Sequence, residues 1–421
     1  MDAFFQLGAS ERLFASFRRF TATNVVRVTA LEGSLPPARL QNALVALKAR
    51  HPLLSVQLAA RGAPAFVDAG AGGIPLIVHP RRDGAHFREL LEALLNRPLP
   101  ARDGPLLQVH YVYAPTQPHA EMLLVADHVI CDGVSMNALS AELLALASGE
   151  PAGAARPARG PLTALLPAFP ARVRVRAFAR QLSRFAGMTA LRRALDRVPG
   201  GATTCFESDV LSHAETDALR MRARAEGTTV TGALMAAALI AAQAQRGTPR
   251  LGLSVPVNLR PRLARAGLTA SDLGNYTNVA YLVARRSDAL WPLARALKAT
   301  LSEVTADEAL LAPLPLVYRA GRLFVRARRP PFAHALVSSS GIVPLAEDYG
   351  AFRARDFYSA TSSAMLSADL GFFCNTFDGR LRLNLVFAEE VLSREAARAA
   401  LAKARDVLAS ARAESRNAVT I

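Results

Sequence analysis

The chain has 421 residues, of which 51% are hydrophobic and 20% are charged, and its 50 Lys and Arg against 34 Asp and Glu give a formal net charge of +16. The apolar fraction excludes global disorder and is compatible with one two-lobed unit or with two or three domains. The positive charge is carried almost entirely by arginine and favours anionic partners, namely nucleotide phosphates, acidic proteins, anionic membranes or nucleic acid, without choosing among them.

Strand and helix signals alternate along the first half of the chain. Residues 25–31 predict a strand, and apolar residues at helical spacing from Leu40 to Leu47 predict an amphipathic helix after Pro37. The other elements expected in this half are strands at 53–59, 75–79, 106–113 and 121–126, and helices at 87–95 and about 135–147.

The second half follows a linker at 149–161, rich in small residues and proline, and an arginine-rich helical stretch at about 171–197. Strands are predicted at 204–211, 251–257, 277–284, 335–342, 364–375 and 381–387, and helices at 214–225, 228–245, from about 285 to 325, and 393–409. Asp378-Gly379 predicts a hairpin between the last two strands. We therefore expect an α/β protein with an N-terminal lobe at 1–165, a helical connection at 166–202 and a C-terminal lobe at 203–421.

The cysteines and the apolar segments indicate the compartment. Cys131, Cys205 and Cys374 are far apart and form no CxxC motif, so neither a disulfide framework nor a metal site is expected. The first residues lack the basic segment and apolar core of a signal peptide. The most apolar stretch, 230–242, is shorter than the about 20 residues that cross a bilayer. These features predict a cytoplasmic protein.

The strongest chemical signal is an HxxxDG motif formed by His128, Asp132 and Gly133, between an apolar run and a predicted helix. A histidine just after a strand can be held rigidly, and its ordinary pKa of about 6.5 suits a general base. Asp132, four residues later, is badly placed to point in the same direction as the His128 ring. We therefore expect its carboxylate to pair with a cation and to hold the loop in place. Gly133 is expected to permit a tight turn and close substrate approach. A capped turn around a hydrogen-bonded histidine is the competing interpretation.

With this motif the sequence resembles the HxxxDG acyltransferase superfamily, which includes chloramphenicol acetyltransferase, the condensation domains of nonribosomal peptide synthesis and alcohol acyltransferases. Further similar elements follow in the order of that superfamily: Ser10-Glu11 with Leu13-Phe14, Arg50-His51-Pro52-Leu53-Leu54, TTVTGALMAA at 228–237, Val257-Asn258-Leu259-Arg260, and Val337-Ser338-Ser339-Ser340-Gly341. The first of these is similar to the polyketide-associated acyltransferases of mycobacteria. Asp127 stands where condensation domains carry a further histidine, which argues against a strict peptide-condensing role.

The resemblance implies two related lobes, with mixed sheets flanked by helices, that face each other across a tunnel. His128 would take the proton from a hydroxyl or amine as it attacks a thioester carbonyl, and no acyl-enzyme would form. Asp132 would pair with Arg260 and hold the loop. The co-substrate would be acyl-CoA or a phosphopantetheinyl thioester on an acyl carrier protein, with no bound cofactor.

Other residues keep two interpretations. His51 could be a second base, but its place before Pro52 favours a structural role, and Cys131 is better explained as a packed side chain than as a nucleophile. Ser339 and Asn278 could be oxyanion donors or tunnel contacts, or ordinary strand residues.

Two arginine-rich segments could meet an anionic partner. The stretch that contains Arg172 and Arg197 could be a solvated helix, a membrane-surface helix or a docking face for an acidic carrier protein. The second segment consists of Arg319, Arg322, Arg326, Arg328 and Arg329. It could bind the phosphates of the donor, or it could simply be the basic end of a helix. Nucleic acid is poorly supported, because aromatic residues make up only 6% and no known motif is present.

The sequence thus predicts a monomeric, thioester-dependent acyltransferase that forms an ester in secondary metabolite or lipid biosynthesis. Peripheral association with a membrane stays open. The alternatives are a free-standing condensation enzyme that forms an amide, and a catalytically silent relative that binds a carrier protein or a lipid.

Overall fold

The computed structural model describes residues 3–59, 64–70, 72–100, 104–191, 202–244, 248–326, 333–362 and 368–410. The strands are β1 (Ala3–Gln6), β2 (Asn24–Gly33), β3 (Val56–Leu58), β4 (Ala65–Asp68), β5 (Leu76–Pro80), β6 (Leu107–Tyr113), β7 (His119–Asp127), β8 (Thr204–Val210), β9 (Arg250–Asn258), β10 (Thr277–Arg285), β11 (Ala333–Ile342), β12 (Phe352–Thr361), β13 (Ala368–Phe377) and β14 (Arg380–Ala388). The α-helices are α1 (Ala9–Phe17), α2 (Pro37–Arg50), α3 (His86–Asn96), α4 (Gly133–Ser148), α5 (Ala171–Leu191), α6 (His213–Ala225), α7 (Val230–Gln243), α8 (Leu290–Val304), α9 (Asp307–Leu311), α10 (Leu314–Arg326) and α11 (Arg394–Ala409).

Within these residues the strands form three sheets. A five-stranded sheet has the order β12-β2-β7-β6-β5, a six-stranded sheet has the order β10-β9-β11-β13-β14-β8, and β1, β4 and β3 form a small third sheet. Both large sheets are mixed, because β5 runs parallel to β6 and β11 runs parallel to β9 and β13 while the other pairs are antiparallel. The predicted α/β fold with mixed sheets is therefore confirmed.

Each large sheet is covered by helices on its outer face. Buried side chains of α2 and α4 pack against the five-stranded sheet, and those of α7, α8 and α11 pack against the six-stranded sheet. Helix α7 is apolar on every side and almost completely buried, as expected for a helix in the middle of a core. The inner faces of the two sheets meet in an apolar cluster, in which Val28 and Val125 of one sheet lie with Phe373 and Val386 of the other.

Strand β12 crosses from the C-terminal part of the chain into the N-terminal sheet, where it pairs antiparallel with β2. The sequence analysis did not predict this strand, because Arg353, Arg355 and Asp356 interrupt its apolar pattern and a register shift between Ala354 and Asp356 breaks its alternation. The lobe boundaries at 1–165, 166–202 and 203–421 stay a prediction. Because β12 pairs with β2, the N-terminal sheet contains a strand from the C-terminal part of the chain.

Local differences from the predicted elements are small. The strand expected at 53–59 is a 3₁₀ turn, Pro52–Ser55, followed by the short strand β3. Positions 364–367 of one predicted strand and 192–197 of the arginine-rich stretch lie outside the described residues. No single described helix is both long and apolar enough to cross a bilayer, and α6 and α7 meet that test only as a pair bent by 102°.

Candidate active site

The HxxxDG loop, which we define as residues 127–133, connects the end of β7 to the start of α4. Backbone hydrogen bonds to the neighbouring strands continue up to His128: the N–H of Asp127 donates to Leu106 O at 2.9 Å, and that of His128 donates to Thr23 O at 2.8 Å. At the other end Asp132 is the N-cap of α4, and its Oδ1 accepts from the backbone N–H of Ser135 at 2.9 Å. The loop is therefore fixed at both ends by ordinary strand and helix chemistry.

The ring of His128 is held in one tautomer. Its Nδ1 lies 2.7 Å from the backbone oxygen of Cys131 and, at the longer distance of 3.1 Å, from Asn275 Nδ2. Because a carbonyl oxygen can only accept, Nδ1 carries the proton and Nε2 keeps a free lone pair. Burial lowers the pKa of His128, although the charge of Asp132 and the bond to Cys131 act in the opposite direction. Nε2 is thus a neutral, unprotonated nitrogen at pH 7, as a general base requires.

Two residues that the sequence analysis missed complete the surroundings of His128. Phe14 of α1 stacks on the imidazole with ring centroids 4.5 Å apart and planes at 28°. Asn275 donates through Nδ2 to the backbone oxygen of His128 at 3.0 Å, and its buried Oδ1 has no hydrogen-bond partner among the described residues. Asn275 lies 147 positions from His128, and nothing in its local sequence marks it. Phe14 belonged to a family-like opening, but its stacking role had no sequence signal.

The brace of the loop is a buried ion pair. Arg260 Nη1 lies 2.7 Å from Asp132 Oδ2, and the two side chains are 3% and 1% exposed. The same carboxylate oxygen accepts from the backbone N–H of Tyr276 at 2.9 Å and lies 3.3 Å from Thr277 Oγ1. The contact predicted between Asp132 and an arginine, with Arg260 as the partner, is therefore confirmed.

Electrostatics and hydrogen bonds keep the carboxylate of Asp132 ionised. Burial alone would raise the pKa of Asp132, but the Arg260 charge and the hydrogen bonds from Arg260, Ser135 and Tyr276 outweigh it and hold that pKa below its usual range. Arg260 Nη2 is satisfied in turn by Ser135 Oγ at 2.7 Å and Asp272 O at 3.0 Å. Both charges are paired and hydrogen-bonded, as a buried ion pair must be.

Gly133 has a different role from the expected one. Its φ is not positive, so the turn does not require glycine. A Cβ at this position would instead lie 2.8 Å from Arg27 Nη2. Arg27 is buried beneath the loop and donates to Asn137 Oδ1 at 2.7 Å and to Gly133 O at 3.2 Å. Gly133 therefore makes room for an arginine under the loop rather than for a tight turn.

The carboxylate of Asp127 serves the framework. It is fully buried, forms an ion pair with Arg18, and accepts from Thr23 Oγ1 at 2.7 Å and from the backbone N–H of Val129 at 2.9 Å. These contacts occupy both oxygens. The residue that replaces the further histidine of condensation domains therefore holds the loop against α1 and β2.

The competing readings of His51 and Cys131 are also decided by contacts. His51 is buried, and its Nε2 lies 3.0 Å from Glu142 Oε2, which fits the structural role. Cys131 is buried with Sγ 3.3 Å from Asp127 O, and burial raises the pKa of its thiol, which fits a packed side chain rather than a nucleophile.

The remaining predicted residues lie away from the contacts of His128. Asn278 is buried on β10 and donates to Leu310 O at 3.2 Å. Ser339 is half-buried on β11 beside Cys374 of β13. Arg319 is exposed and Arg322 is half-buried on α10, while Arg326 closes that helix and Arg328 and Arg329 lie outside the described residues.

Comparisons with known proteins identify the class of fold. Polyketide synthase associated protein 5 from Mycobacterium tuberculosis is 19% identical with a TM-score of 0.70, over 98% of this chain and 99% of that one. The trichothecene 15-O-acetyltransferase TRI3 from Fusarium sporotrichioides is 14% identical with a TM-score of 0.78, over 97% and 95% of the two chains. The condensation domain of the monacolin K polyketide synthase MokA is 15% identical with a TM-score of 0.68, over 97% of each. The chain thus has the two-lobed fold of acyltransferases and condensation domains.

A family model narrows this class. Residues 204–386 match the family "Phthiocerol/phthiodiolone dimycocerosyl transferase C-terminus". Among curated proteins no sequence match is found. The resemblance to the HxxxDG acyltransferase superfamily predicted from the sequence is confirmed, by fold along the chain and by a family model over its C-terminal half.

Removal of the carboxylate in Asp132→Ala should destabilise the protein by about 3–5 kcal/mol, because it leaves Arg260 buried without a counter-charge. Urea unfolding measures this change. Asp307→Ala is the matched control, because it removes an aspartate that pairs with Arg262 at the surface and is 71% exposed. Equal free energies of unfolding for the two variants would show that the buried pair of Asp132 and Arg260 does not contribute to stability.

Nitrogen-15 NMR of the imidazole should show His128 with Nδ1 protonated and Nε2 bare at pH 7, and the pKa of His128 should lie below the ordinary value of histidine. The short contact to Cys131 O fixes the tautomer and burial lowers the pKa. The resonances are assigned with His128→Gln. A proton on Nε2 in the neutral ring would show that the base is not preset.

Proposed function

We propose that the protein transfers an acyl group from a thioester to a hydroxyl, with His128 as the general base. The observation that carries the proposal is the preset tautomer of His128, whose Nδ1–H is committed to Cys131 O and whose Nε2 has no hydrogen bond to the part of the chain that the structure describes. The donor is acyl-CoA or an acyl carrier protein, which acts as a co-substrate, and the chain needs no resident cofactor for this chemistry. The family match and the polyketide-associated and acetyltransferase neighbours support a role in secondary metabolite or lipid biosynthesis.

The reaction consists of one direct transfer. Nε2 of His128 takes the hydroxyl proton as the oxygen attacks the thioester carbonyl, so that the new C–O bond forms without an acyl-enzyme. The tetrahedral intermediate then expels the sulfur, which receives the proton from the imidazolium and leaves as a thiol. Asp132 and Arg260 are positioning residues, since they brace the loop without contacting the ring. The two oxyanion candidates are Ser339 and Asn278, of which Asn278 already uses one of its two amide N–H groups to donate to Leu310 O.

Ester formation is favoured over amide formation by two observations. The neighbour with a TM-score of 0.78 is an O-acetyltransferase. Asp127, in the place of the further histidine, has both carboxylate oxygens engaged with the framework and offers no second base. A catalytically inactive relative that only binds a carrier protein would not require an imidazole held in one tautomer with Nε2 unprotonated, so the geometry of His128 favours the enzyme over this alternative.

The variant His128→Ala should lower acyl transfer by roughly 100-fold or more, the scale of a lost general base, and should keep its unfolding midpoint. Release of free thiol from acyl-CoA in the presence of an alcohol measures the rate. His51→Ala is the histidine control and should be far less affected, because His51 bonds to Glu142. Near-normal turnover of His128→Ala would end the assignment.

The arginine segments should act in donor docking, so that the Michaelis constant for the donor rises with ionic strength while the maximal rate changes little. Two charge-reversal pairs locate the dock, Arg326→Glu with Arg329→Glu and Arg172→Glu with Arg176→Glu. The pair that forms the dock should raise this constant at low salt and flatten its salt dependence.

The control for this experiment is Arg220→Glu with Arg224→Glu, which reverses the same charge on the exposed face of α6. A Michaelis constant of the unmutated enzyme that does not respond to salt rejects docking by charge. Liposome flotation then tests the membrane alternative.

A further inference from the structure

Helix α5 belongs to a long tract of the sequence that carries positive charge only. Between Glu150 and Asp196 there are nine arginines and no aspartate or glutamate, although the whole chain has 34 acidic residues. Three of these arginines are exposed on the first turns of α5 and have no ion-pair partner among the described residues, namely Arg172, Arg174 and Arg176. This part of the surface is therefore suited to an anionic partner.

The packing of α5 on the body of the protein leaves one face of the helix outward. Ala177 is buried, and the ring of Phe185 makes an edge contact with Tyr281 of β10 at a centroid distance of 5.8 Å. On the same inner side Arg184 Nη2 pairs with Glu303 Oε1 of α8 at 3.1 Å. The acidic residues next to α5 thus lie on its inner side and are engaged there.

The outward face of α5 is apolar along its centre. Its members follow one another at spacings of four, three and four residues, which places them on one face of a helix, and they are Val175, Ala179, Leu182 and Ala186. All four are exposed, and Val175 and Leu182 are 60% and 42% accessible to solvent. Transfer of this apolar stripe from water to an apolar phase would be favourable.

Arginines border the apolar stripe on both sides. Successive residues of a helix are rotated by about 100°, so Arg172 and Arg176 lie along one edge of the stripe and Arg174 lies along the other. The long stem of arginine can lie on apolar surface while its guanidinium reaches a phosphate group. An apolar stripe between rows of arginine is typical of a helix that lies in the plane of a membrane surface.

We propose that α5 lies on the surface of an anionic membrane, with Val175 and Leu182 among the lipid headgroups and the flanking arginines on the phosphates. An acidic carrier protein fits this face less well. Protein interfaces favour aromatic side chains, whereas Phe178 and Phe185 of α5 are half-buried and the outward stripe has none. The inference does not depend on acyl transfer, and it leaves the second arginine segment as the candidate for donor docking.

Vesicle flotation of the full chain tests the role of charge. We expect the protein to bind vesicles of phosphatidylcholine with one third phosphatidylglycerol, and to bind pure phosphatidylcholine weakly. Arg172→Glu with Arg176→Glu should lower the partition coefficient for the anionic vesicles roughly tenfold or more. The control pair on α6, Arg220→Glu with Arg224→Glu, should lower it much less. No binding by the unmutated chain, or an equal loss for the two pairs, overturns the inference.

Tryptophan fluorescence tests whether the apolar stripe enters the membrane. The chain has one tryptophan, Trp291, which is buried. Leu182→Trp adds a second one on the stripe, and Met221→Trp adds one at an exposed apolar position of α6 as the matched control. We expect brominated phospholipid in the anionic vesicles to quench the added emission of Leu182→Trp and not that of Met221→Trp. Equal quenching, or none in either variant, overturns the inference.

The same variants separate the membrane from a carrier protein. If Arg172→Glu with Arg176→Glu raises the Michaelis constant for a carrier-bound donor and leaves vesicle binding unchanged, the face is a protein dock and the membrane inference is wrong. The two vesicle measurements contain no thioester and no alcohol. Failure of the proposed acyl transfer would therefore leave their outcome, and this inference, unaffected.

Discussion

The ion pair between Asp132 and Arg260 is the constraint on which the candidate site depends. Asp132 belongs to the loop between β7 and α4, whereas Arg260 follows β9, 128 positions later. The two charges are buried almost completely, so the loss of either one would leave the other buried without a counter-charge, which is strongly destabilising. The pair therefore fixes the loop that carries His128 relative to the C-terminal half of the chain, so the position of His128 depends on the docking of the two halves.

Around this pair the loop is organised by groups that, among the described residues, do not contact Nε2 of His128. Ser135 links the carboxylate of Asp132 to the guanidinium of Arg260, and Arg27 fills the space below Gly133. Asp127 attaches the loop to α1 through Arg18, and α1 also carries Phe14, which stacks on the imidazole. The orientation of His128 is thus a property of several elements, and Nε2 is left as the one ring nitrogen without a bond to the described residues.

Local pattern was sufficient for most elements and for the motif. Apolar periodicity located the strand before His128 and the helix after Gly133, and the order of family-like segments led from Asp132 to Arg260. Contacts that depend on tertiary proximity had no such signal. Asn275 and Phe14 reach His128 only because α1 and the segment before β10 converge on the loop, and the contact between Gly133 and Arg27 is visible only in the tertiary structure.

The predictions about arginine were the least specific, because charge counts do not distinguish paired from unpaired side chains. Arg184 turned out to pair with Glu303, whereas Arg172 and Arg176 are exposed on the same helix. Sequence alone likewise could not separate Asn278, whose amide donates to Leu310 O, from Asn275, three residues earlier, which contacts His128.

The strand exchange has a consequence for biosynthesis. Strand β12 pairs with β2 across more than three hundred residues of chain, so during translation β2 would present an unpaired edge until β12 has left the ribosome. Such an edge is a template for pairing with other chains. The order of synthesis therefore exposes the nascent N-terminal sheet to aggregation while more than three hundred further residues are made, and separate expression of the N-terminal lobe would leave that edge permanently open.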